Sequence, residues 1–193
     1  MKLVLLGAPG SGKGTQAQMI VQQLNISHLS TGEMLRSSIV MKHPVGLSVQ
    51  SVMESGGLVP DDIIVSIVVD RITNGIPRCG YVLDGFPRTL AQAVAFDSAL
   101  HLLGSELDHV IELAVQSDAL VERILNRAAE AHAKGQTRRA DDVPEVLKSR
   151  MLAYASQTAP LRDYYSAQGK LRSVDGMQDP ILVSRAIRDA IGM

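Results

Sequence analysis

Tryptophan is absent from the 193 residues, and two Phe and four Tyr are the only aromatic side chains. So few rings cannot build the stacking platforms that single-strand nucleic-acid binders present to bases. The single cysteine, Cys79, excludes an internal disulfide and a cysteine-based zinc site, and it suits a reducing compartment. It is expected as core filler. A formal net charge of −1 excludes broad attraction to nucleic acid or to an anionic membrane, so any anion site has to be local. No apolar run approaches the roughly 20 residues of a membrane span, the longest being broken by Asp, Arg or Gly. The apolar stretch before Gly7 is too short for a signal peptide. The expectation is a soluble, cytoplasmic protein with no nucleic-acid or membrane partner. The histidines, His28, His43, His101, His109 and His132, are scattered without metal-ligand spacing and read as surface or packing residues.

What is present points to one domain over residues 1–193, since 46% hydrophobic residues can fill a real core. The eight Met are expected as adaptable core filler. Short apolar runs at Leu3–Leu6, Tyr81–Leu83, His109–Val115 and Leu171–Val174 alternate with helical periodicity, the pattern of a parallel sheet with crossover helices. Asp179-Pro180 is a sound helix start ahead of Val183, Ala186, Ile187, Ala190 and Ile191 on one face. Ser117-Asp118 opens another helix through Leu120, Ile124 and Leu125 toward Ala128. Two regions break the rhythm. Residues 31–73 carry helical pattern without a strand and are punctuated by His43-Pro44, Gly56-Gly57 and Pro60, which reads as a helical insertion. Ala131 to Thr137 is polar, contains Gly135 and reads as a loop or flap.

The first apolar run leads into Gly7-Ala8-Pro9-Gly10-Ser11-Gly12-Lys13-Gly14-Thr15, with a helix following at Gln16-Ala17-Gln18. A glycine-rich turn between a buried strand and a helix is the context of a phosphate-binding loop. Glycines let backbone N–H groups converge, the helix N-terminus adds positive potential, and Lys13 brings a mobile charge toward the transferring phosphate. A bland strand-to-helix turn would not need four glycines and a lysine in this order. The position after Lys13 is Gly14, with the hydroxyl delayed to Thr15. A second constellation, Asp84-Gly85-Phe86-Pro87-Arg88-Thr89, follows Val82-Leu83. At the carboxyl end of a strand, where open α/β sheets bind ligands, Asp84 can face a nucleotide's magnesium; the alternative is a turn cap before Pro87. The planar fork of Arg88 matches a phosphate.

Arginine outnumbers lysine by 13 to 6, and Arg123, Arg127, Arg138, Arg139 and Arg150 fall within 28 residues. Arg123 and Arg127, four apart, share a helix face. For one arginine a solvated face is a fair reading. For the set, phosphoryl transfer supplies a reason, because its transition state spreads negative charge over the migrating group and is stabilised by such cations. No His, Glu or Lys is placed as a general base, and none is needed if the nucleophile is a phosphate oxygen already ionised at neutral pH.

The loop Gly-Ala-Pro-Gly-Ser-Gly-Lys-Gly-Thr and the segment Asp84–Thr89 closely resemble the adenylate kinase family. The resemblance continues through Ser30-Thr31-Gly32-Glu33-Met34-Leu35-Arg36, Arg139-Ala140-Asp141-Asp142, Arg150 and Thr158-Ala159-Pro160-Leu161, over essentially the whole chain. It implies a three-layer α/β sandwich on a five-stranded parallel sheet, of the P-loop nucleoside monophosphate kinase type. An AMP-binding helical insertion is implied near residues 30–59 and a lid near 126–138. Only eleven residues separate Arg127 from Arg139, so the lid is of the short form. The implied reaction is ATP plus AMP to two ADP, reversible, by direct in-line transfer.

The resemblance assigns Gly10, Ser11, Gly12, Lys13, Gly14, Thr15, Arg123, Arg127 and Gln178 to ATP. It assigns Thr31, Arg36, Gly57, Leu58, Val59, Gly85, Phe86, Pro87, Arg88 and Gln92 to AMP, with Arg139 and Arg150 bridging both nucleotides. Lys13, Asp84, Arg88, Arg127, Arg139 and Arg150 form the catalytic set. Mg2+ arrives with ATP, with Asp84 acting through metal-bound water, and there is no structural zinc. Asp141 and Asp142 pair with lid arginines or cap a helix, and Arg138 has no counterpart. Thr31 and Gln92 match the AMP pattern, whereas UMP/CMP kinases, the nearest alternative, typically carry Ala and Asn there. A non-catalytic nucleotide switch is a further alternative, but an Asn-Lys-x-Asp guanine motif is absent and Arg36, Arg88 and Gln92 would have no role. The chain is expected to act as a monomer.

Overall fold

The computed structural model describes residues 1–75, 79–133 and 144–193, with backbone alone over 127–133 and 144–145. Its sheet has five parallel strands in the order β2-β3-β1-β4-β5. In chain order these are β1 (Lys2–Leu6), β2 (Ser27–Ser30), β3 (Tyr81–Asp84), β4 (His109–Ala114) and β5 (Leu171–Asp175). Four coincide with the predicted apolar runs; the edge strand β2 does not. Its sequence Ser-His-Leu-Ser buries only Leu29 fully and carries no apolar signal.

Period-two alternation in β1 divides the core. Val4 and Leu6 face one side of the sheet and join Leu83, Phe86, Phe96, Leu100, Val110, Leu161 and Tyr165. Leu3 and Leu5 face the other and meet Ala17, Ile20, Val82, Ile111, Val183 and Ile187. The second side is covered by α1 (Lys13–Leu24) and α9 (Pro180–Ala190), which pack on each other. The first is covered by the helices that carry Leu35, Val49, Ile64, Val68, Phe96 and Tyr165, so the molecule has the expected three layers. Each fully buried aliphatic side chain contributes roughly 1.5–3 kcal/mol.

The predicted helical insertion is α2 (Thr31–Val40) and α3 (Pro44–Glu54), leading into α4 (Asp61–Gly75). Pro44 stands in the first turn of α3, and His43 caps it by accepting from the Val45 N–H. The two insertion helices touch closely because Gly46 has no side chain; a Cβ there would collide with the Ser38 backbone. α5 (Leu90–Leu102) is capped by Thr89, whose hydroxyl accepts the Gln92 N–H at 3.0 Å. Asp179 caps α9 as its sequence indicates, accepting from the Ile181 N–H at 2.8 Å.

Several expectations are corrected. α6 (Ser117–Ala133) runs past Ala128, so residues 131–133 are helical rather than loop. Leu120 and Ile124 are buried on it, whereas Leu125 is exposed. Cys79 is exposed, in a turn before β3, and is not core filler. The methionines are not core filler either: Met1, Met34 and Met53 only flank the core, and Met41, Met177 and Met193 are exposed. Flexible thioethers here cover the margins of the core instead of its centre. Arg138, Arg139, Asp141, Asp142 and the lid from residue 134 onward lie outside the described residues, as do the side chains of Arg127 and His132.

After α6 come α7 (Pro144–Ala153), a π-helical turn over Tyr154–Thr158 and α8 (Leu161–Ala167). Among the described residues no helix is long and apolar enough to cross a membrane.

Candidate functional site

Register brings the two chemical loops side by side. Leu5 of β1 pairs with Asp84 of β3, so the chain leaves the sheet from neighbouring strands at the same end, into Gly7–Lys13 and Gly85–Arg88. Between and above them lies a cleft of about 810 Å³.

The first loop returns on itself through Ser11 N–H donating to the Ala8 carbonyl at 3.1 Å, and α1 begins with Gln16 N–H donating to Gly12 at 3.0 Å. Gly10, at φ 84°, lies against the start of α6; a Cβ there would stand 2.8 Å from the Leu120 carbonyl oxygen. Lys13 Nζ donates to the carbonyls of Gly7 at 2.7 Å and Ala8 at 2.9 Å, which holds the ammonium over the loop. This concave set of N–H groups at a helix start, with a cation fixed above it, is chemically an anion site.

The second loop is held by its own arginine. Arg88 Nε donates to the Gly85 carbonyl at 2.8 Å, and the Thr31 hydroxyl donates to the same oxygen at 2.9 Å. With its proton so used, Thr31 can offer a ligand only an acceptor. The Arg88 N–H donates to Gln92 Oε1 at 2.7 Å, and its carbonyl accepts from the Thr158 hydroxyl at 2.8 Å. Gln92 Nε2 in turn donates to Asp61 Oδ1 at 2.7 Å.

Of the sequence-predicted ATP residues, Gly10, Ser11, Gly12, Lys13, Gly14, Thr15, Arg123 and Gln178 all line the cleft. So do Thr31, Arg36, Gly57, Leu58, Val59, Gly85, Pro87, Arg88 and Gln92 on the other side, together with Asp84 and Arg150. Phe86 does not: it is 1% exposed and packs edge-on against Phe96 with ring centroids 5.2 Å apart, so it supports the loop from beneath. Arg150 reaches the cleft from α7, whose Val146 and Arg150 side chains lie against Gly56 at the end of the insertion.

Among the described residues, Lys13, Arg36, Arg88, Arg123 and Arg150 are the lining cations and Glu33 and Asp84 the lining acids, five against two. The described lining thus carries a formal excess of three positive charges on a chain whose net charge is −1. Its positive charge is local, as any anion site on this chain has to be.

The Asp84 carboxylate stands beside the phosphate loop; a Cβ on Gly14 would lie 3.7 Å from its Oδ2. One carboxylate beside a phosphate cradle suits a hard cation whose other ligands are phosphate oxygens and water. Among the described residues no group of three His, Cys, Asp or Glu could hold a metal by itself. His28 Nε2 stands 4.0 Å from Asp84 Oδ2, on β2. Sequence reasoning missed His28, Asp61 and Thr158 as site neighbours. The strand bearing His28 has no apolar signature, and Asp61 and Thr158 lie 31 and 70 positions from the residues they hold.

Residues 5–170 match the family model described as adenylate kinase. The chain is 54% identical to an adenylate kinase of Methylobacterium nodulans over 187 residues, 97% of this chain and 94% of the relative. It is 54% identical to one from Azorhizobium caulinodans over 97% of this chain and 96% of the relative. A Nitrobacter hamburgensis adenylate kinase is 50% identical over the full chain and 94% of its own length.

Proposed function

The chain belongs to the adenylate kinase family of phosphotransferases, and from that premise we infer that its cleft brings ATP and AMP together and passes the terminal phosphoryl group between them, giving two ADP. The observation that carries this reading is the pairing of β1 with β3, which sets the phosphate loop of Lys13 beside the loop of Arg88 in one cationic cleft.

ATP places its phosphates on the loop Gly10–Thr15, with Lys13 toward the terminal group, and its base side toward Arg123 and Gln178. AMP enters from the insertion, with Arg36 and Arg88 on its phosphate, and Thr31, Gly57, Leu58, Val59 and Gln92 around its base. Its phosphate oxygen is ionised at neutral pH and needs no general base to attack in line. The arginines stabilise the charge that spreads over the migrating group, and removing one such donor costs on the order of 3 kcal/mol. Arg127 and Arg139 join Arg150 in that role from a short lid near 126–138. Closure of insertion and lid excludes water, which would otherwise accept the phosphoryl group.

Magnesium comes with ATP, and Asp84 would hold it through water; when bound it neutralises phosphate charge. The proposal extends to a monomer in the cytoplasm, since one chain builds both halves of the cleft. A coupled assay offering AMP, UMP and CMP as acceptors tests the reading: AMP is expected to be preferred, and preference for a pyrimidine nucleotide would overturn it.

A further inference from the structure

A glutamine amide has a donor end and an acceptor end of nearly equal shape, so base reading requires something that fixes which end is which. At Gln92 two partners of opposite character do so. The backbone N–H of Arg88 can only donate and meets Oε1 at 2.7 Å; the carboxylate of Asp61 accepts from Nε2 at 2.7 Å. The residue is 2% exposed, so turning the amide over would set N–H against N–H and oxygen against oxygen within the protein.

Asp61 is itself anchored. It stands first in α4, at the end of the segment that leaves the insertion, and its oxygens accept the Thr89 hydroxyl at 3.2 and 3.3 Å. Thr89 in turn caps α5 through the Gln92 N–H. The carboxylate therefore joins the starts of α4 and α5 and settles the Gln92 side chain between them.

We infer that Asp61 is a specificity-determining positioning residue: by holding Nε2 it leaves Gln92 with one N–H and one lone pair in a fixed order along the cleft wall, the order complementary to adenine. The inference rests on the assignment of Gln92 to the acceptor base. Adenine presents an acceptor at N1 and a donor at its 6-amino group. Hypoxanthine presents the reverse, a donor at N1 and an acceptor at O6. A locked amide accepts the first pattern and meets the second with like against like. Once Asp61 is removed, only the Arg88 N–H opposes inversion.

The test is steady-state kinetics of the full chain with AMP and inosine monophosphate as acceptors and ATP as donor, alongside thermal melts. Asp61→Ala is expected to raise KM for AMP about tenfold and to shrink the AMP-to-inosine-monophosphate ratio of kcat/KM at least tenfold, with KM for ATP within twofold of wild type. Asp61→Asn, which keeps an acceptor for Nε2, is expected to restore most of that ratio. Should the alanine variant not fold, Asp61→Ser carries the same expectation, since its side chain is too short to reach Gln92. A purely structural role at the start of α4 would lower the melting temperature of Asp61→Ala and leave the ratio unchanged, and that outcome overturns the inference. Gln92→Ala separates the two levels. If it collapses the ratio while Asp61→Ala does not, the positioning role alone fails. If it leaves the ratio intact, the assignment of Gln92 to the base fails and takes the positioning role with it.

Discussion

The hydroxyl of Thr158 donates to the backbone carbonyl of Arg88 at 2.8 Å across 70 positions of sequence. Because Gln92 holds the N–H of the same residue, the Arg88 backbone is held on both sides of its Cα, while its Nε is held by the Gly85 carbonyl at 2.8 Å. Thr158→Val keeps the shape and removes the donor, leaving a partly buried carbonyl without that partner at a cost of about 1 kcal/mol. Its kcat/KM for AMP is expected to fall five- to twentyfold with KM for ATP nearly unchanged. Steady-state titration of each substrate checks this, and equal losses for both would contradict it.

Lys13→Met is expected to fold normally and to transfer phosphoryl groups at least a hundredfold more slowly, because the methionine keeps the aliphatic stem and loses the charge over the loop. Single-turnover formation of ADP measures it, with circular dichroism as the control for folding. Wild-type turnover would remove Lys13 from the catalytic set.

Two glycines of the same loop are expected to respond differently. Gly10→Ala forces a side chain into positive φ and against the Leu120 carbonyl, and strain of this kind costs about 1–3 kcal/mol. Urea denaturation should report the loss, together with weakened ATP binding by calorimetry. Gly14→Ala meets only ordinary contact with Asp84 Oδ2 at 3.7 Å, so its stability should be close to wild type while activity falls, the methyl occupying space beside the carboxylate. Equal stability losses in the two variants would be inconsistent with this geometry.

His109 connects stability to pH. Its pKa lies below the ordinary histidine value, first because burial disfavours the cation and then because Arg172 repels it, with Asp108 partly opposing. The unfolded chain therefore binds a proton more readily than the fold. Stability is full above the ordinary value of about 6.5 and is lost as pH falls from there through the depressed folded value. His109→Asn should flatten that dependence. Melting temperatures of both proteins at pH 7.5 and 5.5 test it; parallel declines would show that other groups govern the slope.

Much of this architecture can be read from the chain because its signals are local. β1 and the loop after it are contiguous, and the cap and face of α9 occupy a dozen residues. What stays hidden depends on contacts between distant segments. β2 is an edge strand of serines and a histidine whose pairing with β3 comes from backbone hydrogen bonds that any sequence can make. Asp61 is an ordinary acid at a helix start until folding sets it against Gln92. Cys79 looks like core by residue type, yet its turn before β3 puts it at the surface.

The pairing of Leu5 with Asp84 works as a ruler. Adjacent strands are spaced at ~4.8 Å by peptide hydrogen bonds whose length hardly varies. The two loops that leave them inherit that spacing, so the turn before Lys13 and the turn before Arg88 start from a fixed separation. A substitution within the helical insertion is therefore expected to alter nucleotide affinity while leaving the separation of the two loops unchanged.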